Sequence, residues 1–275
     1  MSVSLTDINR LRVTEIHEIE RESPTVKTFT FHDKLCSKAK PGQFVMVWIP
    51  GVDEVPMSLS GISPDGRSSI TVAKVGEATE VLHQKRIGDI LGIRGPYGNG
   101  FKPASGKTMI VGGGTGMAPL MSLTEKLAEL QPEIAFVIGA RTRDELLFLD
   151  RMMHVLLPIE GTIATVTEDG SHGIKGVATD VAEKLLETER FDMIYTCGAE
   201  GMMYEMFMLA ERYKTPIQAS LERLMRCAIG ICGSCDIGGF RVCVDGPVFF
   251  SEQLREVKDE FGRFKRGGTG QTVPI

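Results

Sequence analysis

The feature that most narrows the fold is a change of hydrophobic rhythm near Lys107. Before it, residues 11 to about 100 carry short β-rich segments, LRVTEI, TVKTFTF, QFVMVWI, SSITVAKV and DILGIRG, separated by Ser-Pro, Pro-Gly and Asp-Gly turn signals. Six or so strands at that spacing predict a small antiparallel barrel. After it, the apolar strands KTMIVGG, EIAFVIGA, TIATVTE and FDMIYTCG alternate with helical patterns over 117–130, 176–188 and 200–213. Such alternation implies βαβ units around a parallel sheet. Beyond the strand TPIQASL the rhythm collapses into a Cys/Gly-rich stretch, a short apolar piece (PVFF) and a charged tail whose last dozen residues read as loose. The expected organisation is multidomain, α+β and α/β: a β-barrel over 1–103, a doubly wound parallel α/β domain over 104–222, and a small C-terminal module with its tail over 223–275.

A chain of 275 residues with 42% hydrophobic and 24% charged residues can bury substantial cores, which excludes disorder. Thirty-one Lys and Arg against thirty-six Asp and Glu give a net charge of −5, and no electrostatic reason to expect nucleic acid as a partner. No apolar run approaches the roughly 20 residues that span a bilayer. The opening MSVSLTDINR has no apolar stretch of the secretory kind, so the expected location is cytoplasmic, away from membranes.

Four of the six cysteines fall within seventeen residues, as Cys227-x4-Cys232-x2-Cys235-x7-Cys243. The C-x4-C-x2-C start has plant-type [2Fe-2S] spacing, and Gly230 and Gly233 would let backbone N–H groups approach cluster sulfides. Zinc sites more often use paired C-x2-C knuckles, and only one is present. A Rieske centre needs two histidines, yet the last one here is His172. Zinc and plain reduced thiols stay open on spacing alone, with the short x7 gap the less usual feature.

A second signal is IVGGGTGMAPL, where an apolar strand enters Gly112, Gly113, Gly114 and Gly116 and then a helix. Glycines admit a nucleotide close to the backbone, and a helix N-terminus favours phosphate. The same turn can serve packing alone. Cys197-Gly198 and Ala140-Arg141 end two other strands, placing all three at the C-terminal sheet edge where open α/β sheets bind ligands; Cys197 could equally be a small buried apolar residue. Third, PMSLSG and AKVGEAT offer Ser58, Gly76 and Thr79, with small side chains and hydroxyls of the kind that hold a flavin diphosphate, though ordinary turns use the same residues. Met202, Met203, Met206 and Met208 read as gap-filling core, Cys36 as a surface or half-buried thiol, and REVKDEFGRFKR as a solvated face. The histidines His17, His32, His83, His154 and His172 show no metal or triad spacing.

In order, the barrel, GGGTGMAP, CGAEGMM and C-x4-C-x2-C resemble the electron transfer subunits of dihydroorotate dehydrogenase B, a ferredoxin-reductase-like flavoprotein family. The resemblance runs over roughly residues 10 to 255 and is most specific in SLERLMRCAIGICGSC and CVDGPVF. It implies FAD on the barrel, NAD on the α/β domain, and a [2Fe-2S] cluster on Cys227, Cys232, Cys235 and Cys243 that meets an FMN-containing dihydroorotate dehydrogenase catalytic subunit, in a heterotetramer. It places Pro56, Met57, Ser58, Leu59, Val72, Ala73, Lys74, Gly76, Ala78 and Thr79 against FAD. Gly112, Gly113, Gly114, Gly116 and Gly198 would line the nicotinamide side, with Thr115 and Cys197 at the reacting ring and Arg141 nearer the adenosine. Where the family has an arginine before this Pro-x-Ser, the chain has Val55, so Lys74 or Arg94 is expected to supply the charge for the diphosphate. The implied role is passage of electrons between dihydroorotate and NAD in pyrimidine biosynthesis. The same modules also suit an electron-input subunit of a hydrogenase, a sulfite reductase or a ferredoxin:NADP oxidoreductase, and a zinc-stabilised nucleotide-binding regulatory module is the reading from another class.

Overall fold

The computed structural model describes residues 4–130, 133–159 and 161–275. A short helix, α1 (Leu5–Asn9), precedes six strands: β1 (Arg12–Ser23), β2 (Val26–His32), β3 (Phe44–Ile49), β4 (Asp53–Ile62), β5 (Arg67–Ala73) and β6 (Ile90–Tyr97). They close into a barrel in the order β1-β2-β5-β4-β3-β6. Strand alternation fills the barrel with Phe29, Phe31, Val45, Val47, Leu59, Ile70, Val72 and Ile93. The sequence reading left two pieces of this region unassigned. One is β4, whose mixed residues pack inward through Leu59 only in part; the other is the eight-residue helix α2 (Glu77–Gln84) that plugs the barrel with Leu82.

Seven strands form the second sheet: β7 (Thr108–Gly113), β8 (Ile134–Ala140), β9 (Thr162–Thr167), β10 (Ile174–Lys175), β11 (Met193–Cys197), β12 (Ile217–Ser220) and, later in the chain, an edge strand. Helices α3 (Met117–Ala128), α4 (Leu149–Leu156), α5 (Ala178–Thr188) and α6 (Glu200–Tyr213) cover it. Spatial order reverses beside β7, because β8 and β11 flank it on either side. That reversal opens a crevice at the C-terminal edge of the sheet, where β7 ends in Gly113 and β11 ends in Cys197 with Gly198 just after it.

After one ladder of two two-residue strands, β13 (Asp236–Ile237) with β14 (Phe240–Arg241), and one turn of helix, α7 (Val242–Asp245), comes β15 (Val248–Phe250). It pairs antiparallel to β12 and so becomes the outer strand of the sheet. The cysteine module is thereby built onto the α/β sheet, with Cys235, Ile237, Cys243 and Phe249 in the same core as Ile194 and Phe207.

Three expectations about single residues change. Cys36 is fully buried, and burial pushes its thiol well above the ordinary range. Of the methionines, Met203 and Met206 are core, whereas Met208 is exposed. The tail is no solvated face: after α8 (Ser251–Glu256), Val257 and Phe261 are buried, and a hairpin of β16 (Phe264–Arg266) with β17 (Thr272–Pro274) ends the chain. Its apolar residues Leu254, Val257 and Phe261 stand at i, i+3 and i+7 among charges, the spacing of one helical face, and this is the side that is buried. Phe261 stacks edge-on to Tyr204 at 5.7 Å and lies 6.3 Å from Phe207, both on α6. Phe261→Ala is expected to destabilise the protein by about 3–5 kcal/mol and to release the tail, measurable as a lower urea midpoint and new protease cleavage after residue 256.

Candidate functional site

The glycines after β7 divide into two kinds. A Cβ on Gly116 would sit 2.4 Å from the Gly198 nitrogen and 2.5 Å from the Cys197 carbonyl carbon, so this glycine lets the turns after β7 and β11 touch. Gly114 has φ +55° and open space where its Cβ would be. The first kind is packing; the second leaves room for a ligand. Gly112 is packed against Leu120 and Met117, and Gly113 against the Gly139 carbonyl.

Two cavities flank that turn. One, of about 360 Å³, is walled by Pro56, Met57 and Ser58 of β4, Thr71 of β5, Gly113 to Gly116, Cys197 and Gly198, and the segment from Ser220 to Arg223. The other, of about 630 Å³, is lined by Gly113, Gly114, Gly139, Arg141, Glu145, Glu168, Ala178, Met202 and Glu205. Barrel and sheet thus face each other across the first, and the second continues along the sheet edge. Burial pushes the Cys197 thiol up to about 12, so it stays protonated, with its Sγ–H donating to the Ser220 carbonyl at 3.4 Å. Arg141 is not free, because Glu145 holds its Nε at 3.0 Å and Nη2 at 2.6 Å.

Leu59, Val72, Ala73, Lys74, Gly76, Ala78, Thr79 and Gly112 lie outside both linings. Leu59 and Val72 point into the barrel core. The Thr79 hydroxyl accepts N–H bonds from Val75 and Gly76, each at 2.9 Å, and donates to the Gly76 carbonyl at 2.8 Å. It shapes the β5–α2 turn and has no hydrogen left for a phosphate. Arg94 is likewise spent, gripped through two nitrogens by Glu54 at 2.6 and 2.5 Å. Lys74 makes only a 3.6 Å pair with Glu80 and is the freer cation of the two.

The sequence reading missed the wall from Ser220 to Arg223. Arg223 is 4% exposed and gives two bonds to Glu200, at 2.6 and 2.8 Å, yet its Nε has no partner. A buried unsatisfied donor beside a cavity fits a ligand with an acceptor edge, as planar flavin and nicotinamide rings have. Only the pairing with Glu200, twenty-three residues away, marks Arg223 as more than a surface charge.

From Arg223 the chain runs directly into the cysteine loop. The Cys232 N–H points at Cys227 Sγ at 3.5 Å, and the Cys243 N–H at Cys235 Sγ at 3.4 Å, giving two thiol pairs. Ala228, Gly230 and Gly233 turn the loop through positive φ. Among the described residues, no three His, Cys, Asp or Glu side chains converge on one point as ligands of a single ion would. The two thiol pairs, Cys227 with Cys232 and Cys235 with Cys243, would together hold a [2Fe-2S] cluster, which would supply one-electron chemistry. Hydrogen bonds from Ser234 lower the Cys232 thiol to about 6, into the thiolate range a metal ligand needs. Cys235 and Cys243 are buried, whereas Cys232 is exposed beside Ile231. The terminal hairpin folds back over this loop, with Arg226 donating to the Gly268 carbonyl at 2.8 Å.

Residues 222–255 match the family model described as the iron-sulfur cluster binding domain of dihydroorotate dehydrogenase B, and residues 110–206 match the oxidoreductase NAD-binding domain. Proteins named "Probable dihydroorotate dehydrogenase B (NAD(+)), electron transfer subunit" are similar along nearly their whole length. That of Methanocaldococcus jannaschii is 44% identical over 95% of this chain and 97% of its own, and that of Methanothermobacter thermautotrophicus 45% over 98% and 100%. The chain belongs to this family of dihydroorotate dehydrogenase B electron transfer subunits. Among solved structures, a chain of NADH-dependent reduced ferredoxin-NADP oxidoreductase superposes with TM-score 0.79 at 31% identity, covering 90% of this chain and 94% of that one. The flavohaem-like FAD/NAD-binding domain of a Vibrio cholerae nitric oxide dioxygenase shares the fold, with TM-score 0.67 at 19% identity over 74% of this chain and 94% of that one. Like its family, the chain is an NAD-linked oxidoreductase subunit. No helix among the described residues is long and apolar enough to cross a membrane.

Cys232→Ser and Cys243→Ser are each expected to lose the cluster or leave it labile. Iron and acid-labile sulfide, measured after anaerobic purification, check this; stoichiometric zinc without sulfide in the parent protein would instead support the zinc module.

Proposed function

We propose that this subunit carries electrons between NAD and an FMN-containing dihydroorotate dehydrogenase catalytic subunit by way of its own FAD and [2Fe-2S] cluster. One observation carries the reading: the barrel strand β4, the glycine turn of the NAD-binding domain and the segment leading to Cys227 are three walls of a single cavity. FAD bound there supplies the junction between two-electron hydride chemistry and the one-electron chemistry of iron and sulfur. The chain's own groups bind and orient. Pro56, Met57 and Ser58 form the barrel wall for the flavin, Gly114 and Thr115 leave room for the nicotinamide against it, and Cys197 closes the far side as a neutral thiol. Lys74, the freer cation, supplies charge for the diphosphate in place of the arginine that Val55 replaces.

The adenosine end lies in the larger cavity, where Glu145, Glu168 and Glu205 outnumber an Arg141 that is already paired. A 2′-phosphate would add like charge there, so NAD is preferred to NADP. Cys232 and Ile231, with Arg226, Phe240 and Arg241 nearby, form the face offered to the catalytic subunit, in a cytoplasmic heterotetramer that reduces NAD with electrons from dihydroorotate in pyrimidine biosynthesis. A second reading, an input subunit of a ferredoxin:NADP oxidoreductase complex, is favoured by the 31% identity to such a chain.

Gly114→Val is expected to keep FAD and cluster absorbance while abolishing bleaching by NADH, because a branched side chain fills the nicotinamide space. Unchanged bleaching would overturn the placement. Reconstitution separates the two readings: the isolated subunit should oxidise NADH with artificial acceptors, and should reduce NAD from dihydroorotate only when the FMN-bearing subunit is added. Assembly with a ferredoxin:NADP oxidoreductase subunit instead would establish the second.

A further inference from the structure

Oxidation of NADH yields two electrons and one proton, and an iron-sulfur cluster removes only the electrons. Each turnover therefore leaves one proton in the flavin cavity, or needs one there when NAD is being reduced. Few lining groups can take it: Cys197 is held protonated, Arg223 is paired, and Glu222 stands exposed at the rim.

Thr71 offers another way out. Its neighbours Ile70 and Val72 fill the barrel interior, so Thr71 faces outward into the seam with the α/β domain, where it lines the cavity beside Ser58. Its Oγ1 lies 2.8 Å from Thr28 Oγ1 on the paired strand β2, and Thr28 Oγ1 donates to Glu22 Oε1 at 2.5 Å. Ser60 Oγ is 2.9 Å from Thr71 on the other side and 3.1 Å from Ser69. Thr28 and Thr71 are each 5% exposed, while Glu22, at the end of β1, is half-buried and reaches solvent. A file of hydroxyls thus crosses the seam from cavity to surface.

The end of the file sets its direction. An ionised carboxylate only accepts, so the single hydrogen of Thr28 points to Glu22; that of Thr71 rests on Ser60 Oγ and reaches Thr28 by rotation of the hydroxyl, which turns a Thr71 lone pair toward the cavity. We propose that Thr71, Thr28 and Glu22 form the proton conduit of the flavin cavity, an inference that rests on that cavity being the flavin and nicotinamide site. In the direction of NADH oxidation the bound flavin and cluster would carry away the two electrons, and the remaining proton would go to the Thr71 oxygen. Thr71 passes its own hydrogen to Thr28, Thr28 to Glu22, and Glu22 to water. Only O–H bonds are exchanged along the file, and in the opposite direction the proton runs inward. Burial raises the Glu22 carboxyl, Thr28 and Arg151 of α4 oppose that, and Glu20 on its own strand reinforces it. Such a carboxyl can take up and release a proton more readily near neutrality than an exposed one.

The test uses the full chain loaded with FAD and cluster, NADH, an artificial one-electron acceptor and a pH-indicator dye in weak buffer. In the parent protein the proton should reach solvent in step with electron transfer to the acceptor. Thr28→Val and Glu22→Gln, which lie outside the cavity wall, should each delay it by on the order of a hundredfold while the initial bleaching of flavin by NADH keeps its rate, and Thr71→Val should delay it as well. A readout without NADH is the infrared difference spectrum on photoreduction of the flavin: a carboxyl band should shift in the parent, vanish in Glu22→Gln and stay unshifted in Thr71→Val. Thr28 and Glu22 touch no cavity wall, so their variants decide the matter even if Thr71→Val binds FAD poorly. Undelayed proton release in both, or a delay confined to Glu222→Gln, would overturn the conduit. Failure of the site reading looks different, since Gly114→Val would then still be bleached by NADH.

Discussion

The buried ion pair between Arg223 and Glu200 holds the redox elements of this subunit in one place. Its side chains are 1% and 10% exposed, and Glu200 also accepts the Gly262 N–H at 3.0 Å. Three segments meet there: the start of α6 just after the Cys197–Gly198 turn, the approach to Cys227, and the C-terminal tail. Burying two charges costs nearly as much as their attraction returns, so the pair adds little net stability, whereas removing one partner costs about 3–5 kcal/mol. Its value is positional. With α6 fixed by the sheet, the pair fixes the distance from the Cys197–Gly198 turn to the first cysteine of the loop, Cys227.

The same economy of position governs the cysteine loop. β15 pairs with β12, so the last cysteine, Cys243, is carried on a turn that leads straight into the sheet, and Cys235 is packed beside it in the common core. The outer pair has no such support and rests on backbone turns at Ala228, Gly230 and Gly233. A cluster held on these four cysteines, as proposed, would have two ligands anchored in the core, Cys235 and Cys243, and one, Cys232, exposed to solvent.

Much of this was legible in the sequence because the signals were local. The switch from strand spacing to βα alternation at Lys107, the glycine turn and the cysteine spacing each lie within a few residues of chain. What was hidden depended on distant pairings. Whether Arg94 is free depends on Glu54, forty residues away, and whether Phe261 is tail or core depends on Tyr204 and Phe207 of α6. Thr79 shows a subtler limit, since a hydroxyl next to a turn reads equally as a ligand donor and as the turn's own cap until its three partners are seen.

The glycine turn shows why motif and mechanism separate. GGGTG reads as one phosphate-binding signature, yet its members do different physical work. Gly116 is required because another backbone occupies the position of its Cβ, and substitution there would push the β11 turn, and Cys197 with it, out of the cavity wall. Gly114 is required for the opposite reason, since nothing occupies that position until a ligand arrives, although its φ of +55° also favours glycine. Open glycines at positive φ also stand at ordinary turns of this chain, such as Gly51 and Gly88. What sets Gly114 apart is that its open side lies at the junction of two cavities, where the proposed dinucleotide would bind.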